Sequence, residues 1–282
     1  MTALPTIDFS ELQQHGLAAL DRPTLVTGAD QATVTDADFL ADLHAQRFPV
    51  VNNYLDDLLA GRTMGSNPRP ATLGAYLAAP RPAADSGSAL ELMTEAPVPQ
   101  TLLDRLALPA TLLPIREARL FAGRRGSFTD MHFDWSSHWL FQVALFGRKH
   151  FAFLPLPAAE QLDPRGNFAR RDLRAFSVDD WATMVADHGG YHCIIGPGEM
   201  LIQPPFWWHA VTYLDDAASV SIGLGPTDAL VDDIVRSDGP RDWRLAALLK
   251  ARLDNAPGDG NRDRTLEAIR AAGVKRAARR SA

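Results

Sequence analysis

Between Ile115 and Leu224 the chain carries eight short apolar or alternating runs, each closed by glycine or a polar turn: Ile115–Ala122, Ser127–Phe133, Trp139–Phe146, His150–Leu154, Tyr191–Ile195, Glu199–Gln203, Ala210–Leu214 and Ser219–Leu224. Runs of this length suit strands better than helices, and little helical sequence separates them. They predict a mainly β architecture, an antiparallel sandwich or barrel. Residues 156–188 interrupt the series as an insertion in which Val178–Asp187 can form a helix. No repeat with a period of 20–50 residues is visible, so solenoids and propellers are excluded.

The flanks read differently. On the N-terminal side Pro23–Gly28 reads as a short strand, Thr35–His44 as a helix capped by Thr35, and Arg47–Asn52 as a strand placed at a sheet edge by Pro49. Thr72–Leu77 and Gln100–Leu108 read as short helices, and the stretch from Pro80 to Ser88 as a loop. After Thr227 helical periodicity returns, with Leu245, Leu248, Leu249 and Leu253 forming an apolar stripe beside Trp243 that would pack on a sheet or on a second copy of the chain. The expected organisation is 1–110 as α/β elements packed on a core, 111–226 as the core with its insertion, and 227–282 as a helical segment with a basic tail.

Composition narrows the function classes. The chain has 282 residues, 46% of them hydrophobic and 22% charged, as expected of an ordinary globular protein. No apolar run reaches the ~20 residues of a membrane helix, and the N-terminus lacks the pattern of a secretory signal. The single cysteine, Cys193, excludes an internal disulfide framework and a cysteine-rich zinc site. A cytoplasmic, reducing location is the expectation. Residues 241–282 hold eleven Lys/Arg against five acids, a balance of +6; with −6 overall, the first 240 residues carry −12. Such a body repels nucleic acid, and no nucleic-acid or membrane partner is expected. The basic tail reads as a solvated chain end.

The chemistry concentrates in Thr129-Asp130-Met131-His132-Phe133-Asp134-Trp135. On a strand His132 and Asp134 share one face, with Met131 and Phe133 on the other. An imidazole and a carboxylate side by side supply two ligands to a divalent metal. His209 is the candidate third. It follows Gly196-Pro197-Gly198-Glu199, which fits a tight turn with glycine at positive φ, then a strand stopped by Pro204-Pro205. Two histidines and a carboxylate leave half of an octahedral metal open, which suits non-haem Fe(II) better than zinc. Several neighbours have plainer readings. Trp207 and Trp208 read as core, Cys193 as a small buried residue, and Phe141, Phe146, Phe151 and Phe153 as sandwich core. Trp135 is a lid candidate, and His138 either a contact near the site or a surface histidine.

These segments resemble the JmjC-type, cupin-like Fe(II)/2-oxoglutarate dioxygenases, from about Arg22 to Leu224. The sharpest matches are Thr129-x-x-His132-x-Asp134, Gly147-Arg148-Lys149, and Gly196-Pro197-Gly198-Glu199 through Trp207-Trp208-His209. The resemblance implies a double-stranded β-helix, or jelly roll, with flanking N- and C-terminal helices. It implies Fe(II) held by His132, Asp134 and His209, with 2-oxoglutarate and O₂ as cosubstrates. It makes Lys149 the cation for the distal carboxylate of 2-oxoglutarate and Thr129 a hydroxyl donor to it. A lysine reaching into an apolar barrel needs an anion to offset its desolvation; Arg148 or His150 are the alternatives on the opposite strand face. Where the family often has an asparagine near the end of the last core strand, this chain has Ser219-Val220-Ser221-Ile222-Gly223. Ser221 and Gly223 share a face there, leaving room for a ligand, and Ser221 is the candidate contact.

The implied reaction is hydroxylation of a C–H bond in a peptide, amino acid or small metabolite, with succinate and CO₂ as co-products. N-demethylation would use the same site. The rival classes are a metal-binding cupin without oxygenase activity, and another cupin enzyme such as an isomerase or a 2-oxoglutarate-independent dioxygenase. The C-terminal helices suggest a homodimer.

Overall fold

Asp8-Phe9-Ser10-Glu11 shows how locally the N-terminal elements are encoded. Strand β1 (Thr6–Asp8) runs straight into helix α1 (Phe9–His15), where Asp8 accepts from the Ser10 amide at 2.8 Å and Glu11 reaches back to the Asp8 amide at 3.3 Å. This is a reciprocal cap that satisfies two amides the helix leaves open. Strand β2 (Thr24–Thr27) follows, then helix α2 (Ala37–Ala45), whose cap is Asp36, accepting from the Phe39 amide at 3.0 Å, and not Thr35. Strand β3 (Arg47–Val51) pairs with β4 (Arg69–Thr72) on one side and β5 (Leu92–Pro97) on the other, so Pro49 is not at the edge. Pro70, directly opposite Pro49, sits on the edge strand instead. Thr72 caps helix α3 (Leu73–Ala78), and α4 (Gln100–Arg105) precedes the core.

The eight runs become eight strands with small shifts: β6 (Ile115–Gly123), β7 (Phe128–His132), β8 (Trp139–Phe146), β9 (Lys149–Leu154), then β12 (Tyr191–Ile195), β13 (Met200–Gln203), β14 (Trp208–Tyr213) and β15 (Ala217–Leu224). Between β9 and β12 the insertion supplies a 3-10 helix (Leu156–Gln161), a two-strand hairpin β10 (Pro164–Arg165) and β11 (Phe168–Ala169), and helix α5 (Val178–Asp187). Helix α6 (Trp243–Asp254) is the C-terminal described element. The chain is seen here in a computed structural model that describes residues 4–17, 20–29, 35–51, 69–80, 92–98, 100–106, 115–224 and 243–254, with single positions 57, 61, 108 and 231. Most of the expected loop from Pro80 to Ser88 and the basic tail lie outside the described residues.

Two sheets face each other, in the orders β1-β2-β13-β8-β15-β6-β5-β3-β4 and β10-β11-β7-β14-β9-β12. Four core strands of each, β13-β8-β15-β6 over β12-β9-β14-β7, are antiparallel and connected across the two layers, giving the expected jelly roll. The β12–β13 connection is the predicted turn: the Glu199 amide donates to the Gly196 carbonyl at 3.0 Å, and Gly198 has φ 80°. Gly147, at φ 65°, has no space for a side chain, because a Cβ there would run into the Asp216 carbonyl and Ala217 of the neighbouring turn.

Alternation along the strands divides the apolar residues into three layers. Outside the first sheet, Val143, Val220, Ile222 and Leu120 pack on Leu12, Phe39, Leu43 and Leu73 from the N-terminal helices. Outside the second, Ala152, Leu154, Trp208 and Ala210 pack on Leu162, Trp181, Val185 and Leu249. Leu249 of the C-terminal stripe is therefore buried in its own chain. Between the sheets, Phe151, Phe153, Leu201, Trp207, Val211 and Tyr213 fill one part of the interior. The remainder is lined by polar side chains.

Candidate metal centre

His132 ends β7, His209 lies on β14, and the two residues are directly opposed across the ladder. Opposed residues project to the same side, here the interior, and the ring centroids are 4.2 Å apart. Asp134 arrives differently from expected. Strand β7 stops at His132, so Asp134 is carried by the loop after it, not by a continuing strand. Its carboxylate still reaches the histidines: Oδ1 is 3.6 Å from His132 Nε2 and Oδ2 is 3.6 Å from His209 Nε2. Those spacings exceed a hydrogen bond, and ligand atoms of all three residues lie within 4.8 Å of one another.

The outer nitrogens fix which atoms face inward. His132 Nδ1 lies 2.7 Å from the Asp130 carbonyl, and His209 Nδ1 lies 3.2 Å from the Trp207 carbonyl. A carbonyl only accepts, so each Nδ1 carries a proton and each Nε2 presents its lone pair to Asp134. Gln203 stands 2.9 Å from His209 Nδ1. With its amide turned so that oxygen faces that N–H, its otherwise unpartnered buried Oε1 gains a donor. Two inward lone pairs and a carboxylate fit a divalent cation.

Electrostatics follow the same geometry. Burial pushes His209 down to about 4, reinforced by His132 and only partly offset by Asp134. Burial alone would raise the Asp134 carboxyl, but His209 and His132 hold it below the usual carboxylate range. For His132 burial works downward, and the Asp134 interaction outweighs it.

The three candidate ligands line a cavity of about 80 Å³ together with, among others, Thr129, Gln142, Lys149, Tyr213, Ser219 and Ser221. Thr129 and His132 are three residues apart and yet both face inward. A bulge explains this, since His209 and Val211, two apart on β14, oppose His132 and Thr129 on β7. Lys149 is 1% exposed. Its Nζ donates to Ser219 Oγ at 2.7 Å, the Phe121 carbonyl at 2.8 Å and the Tyr213 hydroxyl at 3.3 Å, and burial lowers its pKa well below that of a free lysine. Arg148 and His150 do not share this interior. Arg148 is exposed and pairs with Asp215 at 2.7 Å, while His150 meets His192 at 3.1 Å on the other face.

Ser221 lines the cavity and accepts from Gln142 Nε2 at 2.9 Å. Gly223 leaves no room for a ligand, contrary to expectation: His138 lies against it and bonds Glu117 at 2.9 Å. Trp135, the lid candidate, is half-buried, and its ring packs on Phe133 and Phe206 at 5.7 and 5.9 Å. Trp208 is fully buried as expected, whereas Cys193 is only half-buried. Gln142 is a lone amide in the apolar run Trp139–Phe146, and its residue type alone assigns it no role. Asn167 and Phe168 are not among the expected site residues; their sequence signal is the Gly166-Asn167 hairpin pair.

A jelly roll with an inward His-Asp-His group at one end of its cavity is the architecture of a metal-binding cupin. The chain belongs to the cupin-like domain family, whose model matches residues 30–223. No curated protein matches it. Among the described residues, no helix is long and apolar enough to cross a membrane.

Proposed function

We propose that the protein is an Fe(II)- and 2-oxoglutarate-dependent dioxygenase that hydroxylates a C–H bond of a peptide, amino acid or small metabolite. The observation that carries this reading is Lys149. Its ammonium lies buried in the cavity that the candidate metal ligands line, and among the described residues Asp134 is the only carboxylate lining it. A buried lysine without a counter-charge is costly. A dicarboxylate with one end at the ligand group and the other at Lys149 supplies that charge.

In this reading His132, Asp134 and His209 would hold the iron, a donor set suited to non-haem Fe(II). When bound, Fe(II) with 2-oxoglutarate supplies the oxidising chemistry: O₂, 2-oxoglutarate and R–H give R–OH, succinate and CO₂. Lys149, with Thr129 and the hydroxyls of Ser219 and Tyr213, orients the distal carboxylate. Ser221 and Gln142 form the adjoining wall. The apolar side chains Phe121, Leu140, Phe151 and Val211 keep water from the cavity. Asp134 occupies the ligand position that a halogenase leaves for halide, so hydroxylation is the outcome favoured. A methyl carbon on nitrogen would be hydroxylated to N–CH₂OH, which then breaks its C–N bond to release formaldehyde and leave N–H.

The acidic charge of the first 240 residues favours neutral or cationic substrates, and the half-buried outer side of α6, with Leu248, is proposed as a homodimer contact. Succinate formation, measured across a panel of peptides and metabolites, tests the activity. Succinate that requires both Fe(II) and 2-oxoglutarate is expected even without substrate, at a low uncoupled rate. Its complete absence overturns the reading.

A further inference from the structure

We infer that Asn167 is a positioning residue for the metal centre, holding Asp134 in place through the backbone of Phe133. The need for such a device follows from where the ladder ends. Residues up to His132 are fixed by pairing with β14, but Asp134 lies beyond the strand, and its carboxylate must nonetheless sit 3.6 Å from each histidine.

The insertion supplies what the ladder does not. In the hairpin of β10 and β11, Arg165 opposes Phe168 across the two-residue turn Gly166-Asn167, with Gly166 at φ 65°. Glycine at positive φ in the first turn position is what a tight hairpin of this kind requires. The turn brings Asn167 against the residue between the two ligands. The Phe133 amide donates to the Asn167 carbonyl at 3.0 Å, and Asn167 Nδ2 donates to the Phe133 carbonyl at 2.7 Å. One residue thus takes both backbone groups of Phe133. Next to it Phe168 opposes His132 in the ladder and stacks on its ring, with centroids 5.1 Å apart and planes 11° from parallel. On the other side of Asp134, Trp135 is packed against Phe133 and Phe206. Asp134 is held between a hydrogen-bonded residue and a packed one. Loss of the Asn167 side-chain amide removes one of the two hydrogen bonds on Phe133 and leaves its carbonyl, the group next to Asp134, unheld, so the carboxylate gains freedom that metal binding must then remove.

The inference rests on the metal-centre part of the proposed function and not on its oxygenase chemistry, so the test uses Co(II) binding to the full chain, followed by its visible absorption. Asn167→Ala should weaken Co(II) about tenfold, at the lower end of the roughly 10–100-fold typical of residues that support a ligand from outside. Asn167→Ser, which keeps a shorter donor, should lose less, and it serves if the alanine variant fails to fold. Leu249→Ala, which destabilises the core on the far side of the second sheet, should leave Co(II) affinity at the wild-type value. Wild-type affinity in both Asn167 variants overturns the inference, as does an equal loss in Leu249→Ala. If the wild-type protein itself binds no Co(II), the metal-centre reading falls and this inference with it.

Discussion

Replacing Lys149 by methionine keeps most of the side-chain volume and removes the ammonium. Nζ makes three hydrogen bonds, at 2.7, 2.8 and 3.3 Å, at a residue that is 1% exposed. If the distal carboxylate of 2-oxoglutarate takes up this group, the lost interaction is a buried hydrogen bond between charges, about 1.5–3 kcal/mol. At ~1.4 kcal/mol per factor of ten, 2-oxoglutarate should bind roughly ten- to 150-fold more weakly. Anaerobic titration of the Fe(II)-loaded protein measures this. Stability without cosubstrate should respond in the opposite sense at low pH. Burial depresses Lys149 in the folded state, so between that depressed value and the unfolded value near ~10.4 the unfolded chain binds the extra proton. Wild-type stability relative to Lys149→Met is intact above ~10.4 and falls as pH drops toward the folded value, then levels off. Unchanged 2-oxoglutarate affinity would refute the assignment. A stability difference independent of pH would refute the electrostatic reasoning behind it.

Three further outcomes follow from the packing. A Cβ at Gly223 would come 2.5 Å from the His138 ring, so Gly223→Ala should turn His138 away from Glu117 and cost about 1 kcal/mol in urea unfolding; an unchanged midpoint contradicts the contact. At the C-terminal helix, Leu249→Ala should cost about 3 kcal/mol because Leu249 is fully buried in its own chain. Leu248→Asp, at a half-buried position, should instead yield monomers by size-exclusion chromatography with folding retained. A monomeric wild-type protein removes the dimer proposal.

The core strands were legible because their signal is local. A run such as Trp139–Phe146 alternates between interior residues Leu140 and Gln142 and outward ones Phe141 and Val143, and glycine closes it. The three candidate ligands were legible as residue types in a glycine- and proline-marked context, and the structure brings them together. What was not legible depends on partners distant in sequence. The bulge that turns Thr129 inward is a property of the register with β14, and the position of Pro49 inside the sheet depends on β4 forming beyond it. Asp134 read as a strand residue because alternation says nothing about where pairing stops. The Asp8–Glu11 cap and the Gly166-Asn167 turn, by contrast, carried visible local signals that the strand pattern overshadowed.

The central claim is that His132, Asp134 and His209 share one ferrous ion to which 2-oxoglutarate adds. Anaerobic titration with Fe(II) and then 2-oxoglutarate should give one iron per chain and a weak visible charge-transfer band, absent in Asp134→Ala and His209→Ala. No band in the wild-type protein, or the same band in the two variants, would contradict it.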